Sequence, residues 1–200
     1  MRRPALIALA LAAALPAGAH EADFDAVARG AERVVALEPF LARYLGRCED
    51  VYERAKCEAN VAEARRQVSG RAFAVRIPDA AGLVRPERRG GGYLILLTPF
   101  VDGGGLALTN GAPQRQDSEG RPLINLIPIP GAVPPGMMDM EFESPFRTGA
   151  IELEIVFRPE KAWRLARPGE KRGYEGVAAR FLAVRVIDAR TGQPIAAWVL

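Results

Sequence analysis

The sequence predicts a mainly β chain with an N-terminal α segment: an antiparallel β-sandwich or open barrel joined to a disulfide-stapled helical hairpin. Three observations carry that expectation. Apolar residues recur at helical spacing from Asp23 to Ser69, the period changes to strand alternation after Gly70, and the only two cysteines, Cys48 and Cys57, both fall in the helical part.

The chain opens with Arg2 and Arg3, an apolar run from Ala5 to Leu15, and the small residues Ala17, Gly18 and Ala19. These are the three parts of an export signal, with cleavage expected after Ala19. The run falls short of the ~20 apolar residues that a spanning helix needs, and no cysteine follows the cleavage site to carry a lipid. The expected mature form is therefore periplasmic or secreted, without a transmembrane anchor. The organisation expected is a cleaved signal peptide at 1–19, a helical segment at 20–70 and an antiparallel β domain at 71–200.

Within 20–70, Phe24, Val27, Ala31, Val34, Leu41 and Leu45 mark one amphipathic stretch, and Val51, Tyr52, Ala55, Ala59 and Ala62 a second. Asp23 suits an N-cap, Pro39 suits the first turn of a second short helix or a kink, and Gly46 and Gly70 are stop signals. In an oxidising compartment the two cysteines are expected to pair. On one straight helix, residues nine apart would be separated by ~13.5 Å and lie on opposite faces, whereas a disulfide holds Cα atoms roughly 4.4–6.8 Å apart. The chain must therefore turn between Cys48 and Cys57, which predicts helices near 23–46 and 56–69 joined by a stapled connection from Glu49 to Lys56. A redox role has no CxxC motif behind it.

After Gly70, Phe73, Val75 and Ile77 alternate with Ala74 and Arg76, and Tyr93 to Thr98 is an apolar run. Further strands are expected near 105–109, 123–128, 138–143, 150–158, 161–166, 179–187 and 194–199. Their connections are rich in Gly, Pro, Asn and Asp, as in Asn110-Gly111 and Asp188 to Gly192. Many short strands without intervening helices point to a sandwich or barrel.

The residue inventory excludes several chemistries. His20 is the only histidine, so a Ser-His-Asp arrangement or a multi-histidine zinc site has no imidazole to use within the folded body. The glycine runs lack the Lys-Ser/Thr of a phosphate loop. The 27 Lys and Arg against 24 Asp and Glu fall to 25 against 24 once Arg2 and Arg3 are removed, a net charge of +1 that gives nucleic acid no electrostatic footing.

Carboxylates remain. If Ser144 to Gly149 connects two strands, Glu141 opposes Glu152 and Asp139 opposes Glu154, and with Glu143 they form an acidic face. Like charges directly opposite repel, so neutralisation is expected from Arg158, Lys161, Arg164, Arg180 or Arg185. A calcium site, a basic partner surface or a hydrolytic carboxylate pair are the functional alternatives. Apart from the initiator, every methionine lies in Met137-Met138-Asp139-Met140. Thioethers suit Cu(I), and an N-terminal His20 would offer its amine and imidazole to Cu(II).

With that histidine and methionine loop on an exported β fold, the chain resembles the small periplasmic copper-carrier proteins. The resemblance implies copper at His20, Met137, Met138 and Met140. It departs from the pattern in lacking further histidines, and alternation turns Met138 and Met140 toward the core, where methionine is filler. Trp163, Tyr174 and Trp198 are likewise expected in core or cross-strand packing rather than on a ligand-facing surface.

The favoured reading is thus a non-enzymatic exported module that binds an envelope protein or an extracellular ligand, with a copper carrier and a carboxylate hydrolase as alternatives. Mass spectrometry of the secreted protein is expected to find a mature N-terminus at His20. A cut elsewhere removes the N-terminal copper ligand from consideration.

Overall fold

The computed structural model describes residues 17–46, 48, 50–89, 92–100, 106–118, 120–133, 148–166 and 173–200. In chain order the elements are α1 (Ala17–Arg29), β1 (Glu32–Val34), α2 (Leu37–Leu45), α3 (Arg54–Val68), β2 (Phe73–Ile77), a 3-10 turn (Ala80–Leu83), β3 (Val84–Arg89) and β4 (Gly92–Leu97). They continue with β5 (Leu106–Asn110), β6 (Ile127–Val133), β7 (Ile151–Leu165), β8 (Tyr174–Asp188) and β9 (Pro194–Val199).

Two long strands organise the molecule. β7 and β8, each 15 residues, run antiparallel in register from Ile151 opposite Asp188 to Leu165 opposite Tyr174. β2 pairs with the other edge of β7, and β1 lies parallel beyond it. The free edge of β8 is divided: its first half takes β5 in parallel and its second half takes β9. A second sheet, in the order β3-β4-β6, is wholly antiparallel. Mainly β architecture with a helical N-terminal part is therefore what the chain adopts, but the large sheet is mixed, because β1–β2 and β5–β8 are parallel.

The strand period sorts the large sheet's two faces. Val75, Ile77, Ile151, Leu153, Ile155, Val184 and Val186 face the small sheet's Val84, Ile95, Leu97, Ile127 and Ile129 in one core. Leu37, Leu41, Tyr44 and Leu45, spaced to share one side of α2, enter the same core. There Phe40 lies 4.9 Å from Phe73 and 5.6 Å from Phe157, ring centre to ring centre. The opposite face carries small residues, Ala74, Val156, Ala183 and Ala197, and α1 lays Phe24 across them.

Several boundaries differ from expectation. The helix expected over 23–46 is broken by β1, whose chain reverses at Gly30 and Ala31. The strands expected at 150–158 and 161–166 are one strand, because a bulge between Pro159 and Lys161 absorbs the proline without ending the pairing. β8 begins at Tyr174 rather than 179. Gly176 lies there opposite Trp163, and a Cβ on it would sit 2.4 Å from the indole, so only glycine admits the ring. β3 was not expected, since Arg85, Pro86, Glu87, Arg88 and Arg89 read as a polar stretch. β6 falls at 127–133 rather than 123–128 and carries Pro128 and Pro130. The strand expected at 138–143 lies outside the described residues.

Among the described residues, the most buried charge lies on the outer face. Glu154, 6% exposed, accepts hydrogen bonds from Arg185 at 2.6 and 3.2 Å. Arg185 also donates to Asp25 of α1 at 3.0 Å and stacks 4.4 Å from the Phe24 ring. Truncating Arg185 leaves the buried Glu154 carboxylate with only the exposed Arg33, 3.7 Å away. Arg185→Ala is expected to cost about 3 kcal/mol, a fall in Tm of roughly 6–12 °C, whereas Glu154→Leu with Arg185→Met recovers most of it. Thermal unfolding followed by circular dichroism checks both.

Candidate functional site

The helical hairpin is built around an unusual helix. α3, with the sequence RAKCEANVAEARRQV, contributes no buried side chain among the described residues. Its placement comes from tethers instead. The carbonyls at the end of α2 have no intrahelical partners, and two arginines reach them. Arg65 of α3 donates to the carbonyls of Tyr44 and Leu45 at 2.8 and 2.9 Å. Arg164 of β7 donates to that of Gly46 at 2.8 Å, while its Nε is held 3.1 Å from Glu175. Both charges also sit favourably at a helix C-terminus.

Gly46 supplies the third contact. Its φ of +60° is natural to glycine, and an added Cβ would lie 2.0 Å from Cγ2 of Val61, so α3 meets the backbone of α2 there. The fourth is covalent. Cys48 and Cys57 are bonded with Cα atoms 5.6 Å apart, and a turn at Val51 to Glu53 separates them, as the spacing required.

A helix held by tethers leaves gaps along its sides, and cavities among the described residues border α3. One of about 540 Å³ and one of about 240 Å³ share Arg43, Ala64 and Gln67, so they adjoin along a groove between α2 and α3. A third, of about 390 Å³, opens on the other side beside Arg54 and Arg65. The inner end of the groove has Phe40, Tyr44 and Phe73 on its wall and Arg33, Arg43 and Arg71 around it. Burial raises the Tyr44 phenol above its ordinary range, against the lowering effect of Arg65, so it stays protonated near neutral pH.

The charges of the groove are unequally committed. Arg71 is bound to Glu32, and Arg33 lies 3.7 Å from Glu154. Glu63 takes hydrogen bonds from Arg66 and Gln67, which hold its carboxyl below the usual range. Arg43, exposed at the junction of the two cavities, has no ion-pair partner among the described residues.

The residues singled out from sequence are dispersed. Glu152 and Glu154 lie on the outer face, away from the groove. The inferred pairing of Glu154 with Asp139 is not made, because both sides of β7 at that residue are occupied, by Arg76 of β2 and Arg185 of β8. Glu152 is likewise bound to Arg76. Of the neutralising residues expected, Arg185 serves Glu154 and Arg164 serves Glu175; Arg33 and Arg76 were not anticipated. His20 lies in α1, and Met137, Met138, Met140, Asp139, Glu141 and Glu143 lie outside the described residues, as do residues 1–16. Trp163 and Trp198 are buried, Trp163 donating to Thr109 at 2.9 Å. Among the described residues, no group of three or more His, Cys, Asp or Glu is placed to hold a metal ion, and no helix is long and apolar enough to cross a membrane.

Sequence reasoning missed Phe40, Arg43, Arg65 and Gln67. The available signal was the composition of α3, whose apolar stripe is mostly alanine and too thin to anchor a helix.

Replacing both Cys48 and Cys57 with serine removes a constraint worth about 2–3 kcal/mol. Hydrogen exchange is expected to show α3 losing protection while β7 and β8 keep theirs; unchanged protection of α3 would mean that the remaining contacts suffice.

Residues 1–200 match the model of a family described as a family of unknown function (DUF6066). No curated protein and no solved structure matches.

Proposed function

Because the chain belongs to the DUF6066 family, whose function is not established, we propose its role from its own geometry: a non-enzymatic binding module, exported to the periplasm or beyond, that engages an envelope component or extracellular ligand through the α2–α3 groove. The observation that carries this reading is the groove itself, two cavities with three lining residues in common, bordered by a helix whose one contribution to the core is the half-buried Val68 at its end. A helix with so little of its surface in the core is best explained by the surface it presents, and concave sites with a few polar groups are where ligands bind. The leader and the disulfide support an oxidising destination. Carboxylate hydrolysis draws no support from Glu152 and Glu154, whose oxygens face guanidinium groups.

A photo-crosslinking residue at Gln67, inside the groove, is expected to give a discrete adduct in the envelope of cells exporting the protein. The same residue at the exposed Arg180 of β8 is expected to give none. Adducts of equal yield from both positions, or none from Gln67, refute the groove as the site.

A further inference from the structure

The geometry points to a small carboxylate-bearing molecule with an apolar body as the occupant of the groove's inner end, its carboxylate on Arg43 and its apolar part against Phe40, Val34 and Val68. This rests on the groove reading and adds the ligand's chemistry to it.

Four features converge. The inner cavity, about 240 Å³, lies below the roughly 300–1,000 Å³ that holds a drug-sized ligand, so its occupant is about one ring or a short chain. One part of its wall is apolar: Val34, Phe40 and Val68 pack against the core yet remain only half-buried, so they keep apolar surface to offer. Its cations exceed its acids, with Arg33, Arg43 and Arg71 against Glu32 alone. Finally, those cations divide sharply. Arg71 is already bound to Glu32 and its guanidinium lies 5.7 Å over the Phe73 ring, and Arg33 is drawn toward Glu154.

Arg43 is left as the guanidinium that can present a two-pronged donor to a planar carboxylate. It stands where the cavity joins the 540 Å³ continuation, so a longer molecule could keep its charged group at Arg43 and run on toward Lys56 and Asn60. A wholly polar anion would leave the apolar wall wet, and a wholly apolar ligand would bury part of Arg43 without a partner. The site therefore selects a molecule with both parts.

The test uses the full mature chain with its disulfide intact and 3-phenylpropanoate as the probe, with 3-phenylpropanamide, acetate and inorganic phosphate as comparisons. Binding is read by titration calorimetry and by amide shifts at Arg43, Ala64, Gln67 and Val68. Phenylpropanoate is expected to saturate at those residues, and the amide and acetate to bind about tenfold or more weakly, the worth of a charged hydrogen bond and of the apolar body respectively. Arg43→Gln, at an exposed position, is expected to bring phenylpropanoate down to the affinity of the amide.

Equal binding of carboxylate and amide, a preference that survives Arg43→Gln, or inorganic phosphate competing as well as phenylpropanoate each overturn the proposal. So does an absence of saturation at millimolar concentrations. If that absence accompanies a persistent adduct from Gln67, the ligand class is wrong and the groove stands; if the adduct is missing too, both fall.

Discussion

Three backbone carbonyls at the end of α2 hold the helical part of this protein together. Helix termini expose such groups in every fold, and solvent or a local cap usually satisfies them. Here two arginines from distant parts of the chain do so, Arg65 from the neighbouring helix and Arg164 from the long central strand. The same contact thereby fixes α3 to α2 and α2 to the sheet. Because the grip falls on backbone atoms, the side chains of α2 are free to divide their work. Leu37, Leu41 and Leu45 enter the core, while Phe40 and Arg43 line the groove.

The large sheet separates two kinds of cohesion. Its inner face depends mostly on area: branched and aromatic side chains from both sheets and α2 meet there, alongside the buried Glu175 that Arg164 pairs. Its outer face is thin in apolar volume, mostly alanine, and an ionic lattice supplements it. Arg185 serves as both a hydrogen-bond donor to Glu154 and a lid on Phe24, so one side chain links α1 to the sheet by charge and by contact. The cost of burying such a pair is offset only while every member is present, which makes α1 attach as a unit.

What the sequence revealed was local. The change of period at Gly70, the strand from Phe73, the terminal strand at 194–199 and the turn that two cysteines nine residues apart demand all depend on neighbours in the chain. What it concealed was long-range. β7 was expected to pair with a strand just before it, and the acidic face followed from that register. In the structure its partners come from residues 73–77 and 174–188, which bring arginines where acids had been expected. The bulge at Pro159 and the glycine beneath Trp163 are compensations visible only once both strands are in place. The groove was hidden for a different reason: Phe40 and Arg43 are ordinary helix residues, and their significance comes from α3 standing off beside them.

The prolines of the small sheet have a further consequence. Pro86 lies in β3 and Pro128 and Pro130 in β6, the two outer strands, so both rims lack some of the backbone donors that a newcomer would need. The small sheet thus resists templated growth from either side, and on the large sheet β1 offers only a three-residue rim at one end of the strand order. In a chain composed largely of strands, the small sheet is thereby kept from extending across its own copies.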